Sequence, residues 1–371
     1  MKIVGQGSTF RIYDSAVETY DSLPPCAYTI RFEQRSGFWL EKSSVADITE
    51  GKIYGVHDDK CAKVLRSFEA FKRNLGVILS GDKGIGKSLF AKLLATRAMS
   101  LGYPLIIVDR YIPGIAAYIE NIEQECVVMF DEFDKTFGEV KAEDGQASPQ
   151  AELLSLFDGF AHGKKLFVIT CNEIDRLNSF LINRPGRFHY HFRFEYPSAD
   201  EIREYMMDNI PTEYHGEIES VVLFSRKIPM NYDCLRAVAF ELSSGLSFDD
   251  AIADLNIVNL NREEYKVFLM YENGLRVTAK SARLDMFSDD DESLWLADKN
   301  DNYFVKALFS PSDAVWSVDY SSYIITPDNF KLIYDDDELN EEEMAVYKGA
   351  LPKCLVIRMD KQRDIHYRVR R

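Results

Sequence analysis

The 371-residue chain is 46% hydrophobic, with 24 Phe and 20 Tyr, enough apolar material for two or three buried cores. Its formal net charge of −16 excludes broad attraction to a nucleic-acid backbone, though not a local basic groove. No apolar run reaches the ~18 residues of a membrane span, no signal-peptide core opens the chain, and the six cysteines are scattered without a C-x-x-C pair; the reading is a soluble cytoplasmic protein with reduced thiols.

The segment 1–50 holds the strand-like "AYTIRFEQRSGFWLEK" with "RSG" as its turn, a small N-terminal β element. Val77 to Leu79 reads as a buried strand that stops at Gly81-Asp82-Lys83-Gly84-Ile85-Gly86-Lys87-Ser88 and gives way to a helix with Leu89, Phe90, Leu93 and Leu94 inward. This is G-x-x-x-x-G-K-S with a strand before it and a helix after it, the context the motif requires. Glycines let backbone N–H groups converge on phosphate oxygens, and the helix N-terminus adds partial positive charge. Lys87 is placed to reach the β- and γ-phosphates of ATP, and the Ser88 hydroxyl to ligate Mg²⁺.

A strand from Leu105 to Asp109 follows, then "RYIPGIAAYIENIEQE", which places Tyr111 and Ile112 just before a short helix. Cys126 to Phe130 is another buried strand, ending in Asp131-Glu132-Phe133-Asp134. Adjacent carboxylates at a buried strand tip are costly unless they face a cation or a reacting water. Beside a phosphate loop, Asp131 completes the Mg²⁺ site and Glu132 polarises the attacking water. A polar loop (135–150) leads to the run Leu166 to Thr170, which ends at Cys171-Asn172, where a neutral amide can bridge phosphate and water. "NRPGRF" sets Arg184 and Arg187 on either side of a Pro-Gly turn, and "FHYHFRF" alternates as a fifth strand whose histidines lack a third metal ligand. Pro197 then breaks the chain, Ser198 and Glu201 form a capping box, and helical patterns follow near 216–225, 231–243 and 248–254. From 262 to 371 short apolar runs alternate with acidic turns, the texture of a separate β-rich domain.

Taken with "AELLSLFDGF" (151–160) and "VITCNEIDRLNSFLINRPGRF" (168–188), these motifs resemble the AAA+ ATPases, specifically the AAA branch proper, over roughly residues 50–260. The resemblance implies an α/β P-loop core, a five-stranded parallel sheet with helices on both faces (51–196), a helical lid (197–260) and the β-rich domain at 262–371. It implies a Mg-ATP-dependent ATPase that assembles into a homo-oligomeric ring, a hexamer, and remodels or translocates a protein substrate. Asn172 becomes the sensor-1 residue, and Arg184 and Arg187 become arginine fingers directed at the neighbouring subunit's γ-phosphate. Ile53-Tyr54-Gly55 falls where the family sets an apolar-Gly element against the adenine. Arg236 is either a sensor-2 arginine or solvent-facing. Tyr111-Ile112 is either a pore loop or a tyrosine buried at a helix start. The two arginines could alternatively pair with carboxylates of their own chain. Two other functions stay open: a nucleic-acid loader or motor, for which pore-side Arg110, Lys135 and Lys141 are few, and a nucleotide-gated binding scaffold. No membrane partner is expected.

Overall fold

The computed structural model describes residues 2–14, 16–43, 54, 57–138, 149–158, 163–257, 263–335 and 338–360. The chain divides into two compact units, one of residues 1–215 and 230–245, the other of 216–229 and 246–371.

The first unit opens with the antiparallel hairpin β1 (Lys2–Gln6) and β2 (Thr9–Tyr13), a two-stranded sheet of its own. A second hairpin, β3 (Ala27–Glu33) and β4 (Gly37–Ser43), turns at 34–36, where the Ser36 N–H donates to the Glu33 carbonyl. The central elements then run α1 (His57–Ala70), β5 (Leu75–Ser80), α2 (Lys87–Ser100), β6 (Leu105–Val108), α3 (Ile115–Glu120), β7 (Cys126–Phe130), α4 (Phe133–Thr136), α5 (Pro149–Asp158), β8 (Lys165–Cys171) and β9 (Tyr190–Arg193). They form one seven-stranded sheet ordered β4-β3-β6-β7-β8-β5-β9. The five expected strands are parallel neighbours. The sheet is two strands wider than the motifs implied, because β3 lies parallel to β6 and carries antiparallel β4 with it. Ala27 to Ile30 are all buried, as a strand covered on both faces must be.

Strand alternation sorts the core into two layers. Leu75, Val77, Leu79, Leu105, Val127 and Val168 pack against α1 and α2. Ile78, Ile106, Val128, Phe130, Phe167 and Ile169 face α3, α4 and α5. Gly76 interrupts β5 for a steric reason. A Cβ there would lie 2.4 Å from the Arg187 carbonyl oxygen and 2.5 Å from the Phe188 ring. The segment bearing the two arginines therefore lies directly on the sheet, with the His189 N–H donating to the Gly76 carbonyl.

Four helices follow: α6 (Ala199–Asn209), α7 (Ile218–Ser225), α8 (Tyr232–Ser243) and α9 (Phe248–Asp254). Ser198 and Glu201 close the capping box of α6. The division between units falls inside this segment, with α6 and α8 in the first unit and α7 and α9 in the second. The second unit continues with β10 (Glu263–Tyr271), β11 (Arg276–Ala279), β12 (Ala282–Leu284), β13 (Glu292–Ala297), β14 (Tyr303–Phe309), β15 (Val315–Ser317), β16 (Ser322–Ile325), β17 (Phe330–Tyr334), α10 (Glu341–Lys348) and β18 (Pro352–Met359). Its strands make one sheet, β15-β16-β18-β10-β11-β13-β14-β17, with β12 also paired to β10. Tyr265, Val267, Leu269 and Tyr271 of β10 and Leu355 and Ile357 of β18 anchor its core.

Candidate nucleotide site

The site grows from the junction of β5 and α2. Gly81, Gly84 and Gly86 all have positive φ (140°, 76° and 96°), so the loop takes a path that L side chains resist. A Cβ on Gly81 would meet the Phe194 carbonyl at 2.4 Å, and one on Gly84 would meet Asn231 Nδ2 at 2.5 Å. Gly86 is the N-cap of α2 and supplies no side-chain cap, so the first turn of the helix presents backbone N–H groups, the feature that attracts phosphate. Ile85 sends its side chain into the core, leaving only its backbone to the loop. Asp82, Lys83 and Ser88 are exposed. Leu89, expected inward, is 39% exposed instead, because α2 is buried through Phe90, Ala91, Leu93, Leu94, Ala95 and Ala98. Lys87 Nζ donates to the Gly81 and Asp82 carbonyls, at 2.6 Å for Gly81, and burial holds its pKa below the ordinary lysine value.

The start of α8 clasps this loop. Asn231 caps the helix by accepting from the Cys234 N–H at 2.8 Å, and its Nδ2 donates to the Lys83 carbonyl at 3.2 Å. The Tyr232 N–H donates to the Gly84 carbonyl at 3.2 Å. The Tyr232 ring joins Tyr54, 6.2 Å away, and Tyr205, 5.7 Å away, in an aromatic cluster. The Tyr54 hydroxyl donates to Asp208 Oδ2 and accepts from Asn209 Nδ2, both at 3.1 Å. Gly55 lies outside the described residues. Arg236, on the same α8, is 73% exposed and faces Asp233 at 3.5 Å, a solvent-facing arrangement.

Opposite the loop stand the tips of β7 and β8. Thr170 joins them: its hydroxyl donates to Asp131 Oδ1 at 2.6 Å and accepts from the Glu132 N–H at 2.8 Å. Glu132 sits at φ 46°, left-handed backbone that costs a non-glycine residue about 1–3 kcal/mol and is held only where its surroundings dictate it. Its carboxylate pairs with Lys135 at 2.5 Å. That bond keeps the Glu132 pKa below the usual carboxylate range. Asp134 is buried, and its Oδ2 accepts from the N–H groups of Asn172 at 3.1 Å and Glu173 at 3.0 Å. Asp134 Oδ1 and Asn172 Nδ2 are buried without a hydrogen-bond partner among the described residues, the kind of exception that marks a working site. Thr170 and Asp134 escaped the sequence reading because one ends an apolar strand and the other trails an acidic pair.

The two arginines part company. Arg187 makes a two-pronged pair with Asp158 at the end of α5, Nη2 to Oδ2 at 2.6 Å and Nε to Oδ1, and Nη1 donates to the Phe180 carbonyl at 2.8 Å. Arg184 is exposed, its guanidinium 5.3 Å from the centre of the Phe180 ring. The pairing with a carboxylate of the same chain thus holds for Arg187. Tyr111 and Ile112 pack on the core, and the Tyr111 hydroxyl donates to Glu152 Oε2 at 2.6 Å. Burial, then Glu152, pushes its pKa up to about 12. Tyr111 is thus half-buried, four residues before α3 begins at Ile115.

The donors present fit a Mg-nucleotide: a glycine loop with no room for side chains, a lysine, a serine hydroxyl and an aspartate. Hard oxygen ligands in small number suit Mg²⁺, which keeps several waters. Among the described residues no cluster of three or more His, Cys, Asp or Glu offers a different metal site.

A glycine cradle at the head of a helix, with an acidic strand tip at Asp131-Glu132 on the same parallel sheet, defines a P-loop nucleotide-binding domain. Residues 77–196 match the model of the ATPase family associated with various cellular activities (AAA), and the chain carries an AAA ATPase domain. The chain is 29% identical over 160 residues to the 26S proteasome regulatory subunit S10B homolog B of Arabidopsis thaliana, covering 39% of this chain and 40% of that one. It is 28% identical over 180 residues to the ATP-dependent zinc metalloprotease FtsH of Trieres chinensis (43% and 27%), and 25% identical over 219 residues to the peroxisomal ATPase PEX6 of Yarrowia lipolytica (53% and 21%). The match thus spans 40% or less of these relatives' own length. No helix among the described residues is long and apolar enough to cross a membrane.

Proposed function

We propose that the protein is a Mg-ATP-dependent ATPase that works as a ring, a hexamer, and remodels or translocates a protein substrate. The observation that supports its ATPase part is the Thr170 bridge, which ties Asp131 and Glu132 together at the tip of β7. Lys87 and the loop N–H groups bind the phosphates, and Tyr54 with Tyr232 holds the base. Ser88 and Asp131 hold Mg²⁺, which supplies charge neutralisation at the phosphates. Glu132, kept ionised, orients the attacking water, and Asn172 Nδ2 donates towards the same region. Protein-handling relatives, the net charge of −16 and the few basic residues in the pore-side segments (Arg110, Lys135, Lys141) favour protein over nucleic acid as the substrate.

Arg184 is the finger that acts on the neighbouring subunit, while Arg187 holds the turn in place through Asp158. A finger supplied in trans contributes about 10³–10⁵ in rate. Specific ATPase activity measured against protein concentration tests the assignment, using Arg184→Ala, Lys87→Ala and their mixture. Activity that climbs with concentration, near-inactive single variants and partial rescue on mixing are expected. Flat activity from a monomer, with Arg184→Ala as fast as wild type, would sink both ring and finger and leave the scaffold reading.

A further inference from the structure

The β-rich unit contains a split in its sheet. Strands β11 and β13 pair only at Thr278 with Ala297 and Ala279 with Leu296. Beyond that point β12 pairs with β10, while β13 continues along β14 from Leu296 back to Glu292. The two walls diverge, and a cavity of about 520 Å³ lies between them, lined by residues 279–282 on one side and 293–295 on the other. Successive side chains of a strand point to opposite faces, so a cavity on one face touches every second residue. On the β13 wall it touches the consecutive residues 293–295, while Lys280 and Ser281 opposite form the connection between β11 and β12. It therefore runs along the backbone edge of β13, where strand N–H and C=O groups are presented, and its size falls within the range of ligand clefts.

Its chemistry favours a cationic guest. Between 263 and 360 acidic residues outnumber basic ones about two to one, and Asp335 and Glu338 stand at the cavity wall. Both aromatic rings of the lining already carry a lysine, Lys280 5.3 Å from the centre of Tyr303 and Lys306 5.9 Å from that of Trp295. Each ring is thus already matched to a cation of this chain, and the pull on a cationic guest comes from the Asp335 and Glu338 carboxylates.

We propose that this split is a binding site for an extended polypeptide segment bearing basic side chains, added as a strand along the open edge of β13. Main-chain hydrogen bonds give such a complex its affinity, and the alternate side chains give it specificity. The site is independent of the P-loop and gives the second unit a task of its own, partner capture.

Fluorescence anisotropy on the full chain tests it, with labelled decapeptides of alternating lysine and threonine at about 0.15 M salt, where distant surface attraction is screened. The controls are the glutamate–threonine peptide and two lysine peptides N-methylated at alternate backbone nitrogens, one in each phase. The lysine peptide is expected to bind, the glutamate peptide to bind at least tenfold more weakly, and only one methylated phase to lose binding. Trp295→Ala, at a side chain 41% exposed, and the surface change Glu338→Lys are each expected to weaken binding several-fold with ATP turnover intact. No binding up to about 1 mM, equal binding of both methylated phases, or binding unmoved by both variants overturns the site. ATP turnover in the same samples reports the P-loop separately, so loss of one reading does not remove the other.

Discussion

Replacing Thr170 by valine keeps the shape of a side chain that is only 2% exposed and removes one oxygen. That oxygen donates to the Asp131 carboxylate and accepts from the Glu132 N–H. A hydrogen bond to a charged group contributes about 1.5–3 kcal/mol. Asp131 is exposed and can turn to water, so the expected net loss is about 2 kcal/mol, or roughly 4–8 °C in Tm for a unit of this size. The kinetic loss has a different origin. Once its N–H is released, Glu132 can relax from φ 46° and regain part of the ~1–3 kcal/mol of strain, which moves its carboxylate off the line of attack. At about 1.4 kcal/mol per factor of ten, kcat should fall roughly 10- to 100-fold, with KM for ATP within about threefold because the cradle is untouched. Thr170→Ser keeps the hydroxyl and should lose little turnover. Steady-state ATPase assays and thermal melts on the three proteins decide it. Wild-type kcat in the valine variant, or equal damage from serine and valine, would refute the bridge.

Two further outcomes are expected. Arg187 depresses the Asp158 pKa, so the pair's contribution is present above the ordinary carboxylate range and is lost as pH falls through the depressed value. The Tm gap between wild type and Asp158→Asn should therefore be widest near neutrality and close only as pH falls below the ordinary carboxylate range, whereas a gap constant with pH would contradict the ion pair. Burial pushes the thiols of Cys61, Cys126 and Cys171 up to about 12, so native alkylation at neutral pH, read by mass spectrometry, should mark Cys26 and Cys234 well before these three.

The cradle was legible because its chemistry is local: eight consecutive residues between a strand and a helix fix both loop path and helix start. The acidic tip at Asp131-Glu132 was legible for the same reason. Thr170 was not, since its role appears only when β7 and β8 lie side by side, 38 residues apart in sequence from Glu132. Asn231 and Tyr232 were hidden more deeply, because they reach the loop from a helix almost 150 residues further on. Strands β3 and β4 read as a small separate element, as the pairing of β3 with β6 leaves no mark in the hairpin's own alternation. Arg184 and Arg187 look equivalent in "RPGR", and only the position of Asp158 separates them.

That separation has a structural logic. Asp134, two residues after Glu132, holds the backbone at Asn172 and Glu173. Gln150, buried at the start of α5, donates to the Arg176 carbonyl at 3.0 Å and accepts from the Asn178 N–H at 2.6 Å. At the other end of the same helix Asp158 grips Arg187, whose third arm returns to the Phe180 carbonyl. Thus α4 holds the strand tip at Asn172, α5 braces the stretch from Arg176 to Arg187, and Gly76 seats the end of that stretch on β5. A residue bound at both guanidinium edges inside its own chain cannot also reach outward without breaking those bonds. Arg184, braced by the same turn and left exposed, can. One arginine fixes the position of the turn so that the other can be presented from it.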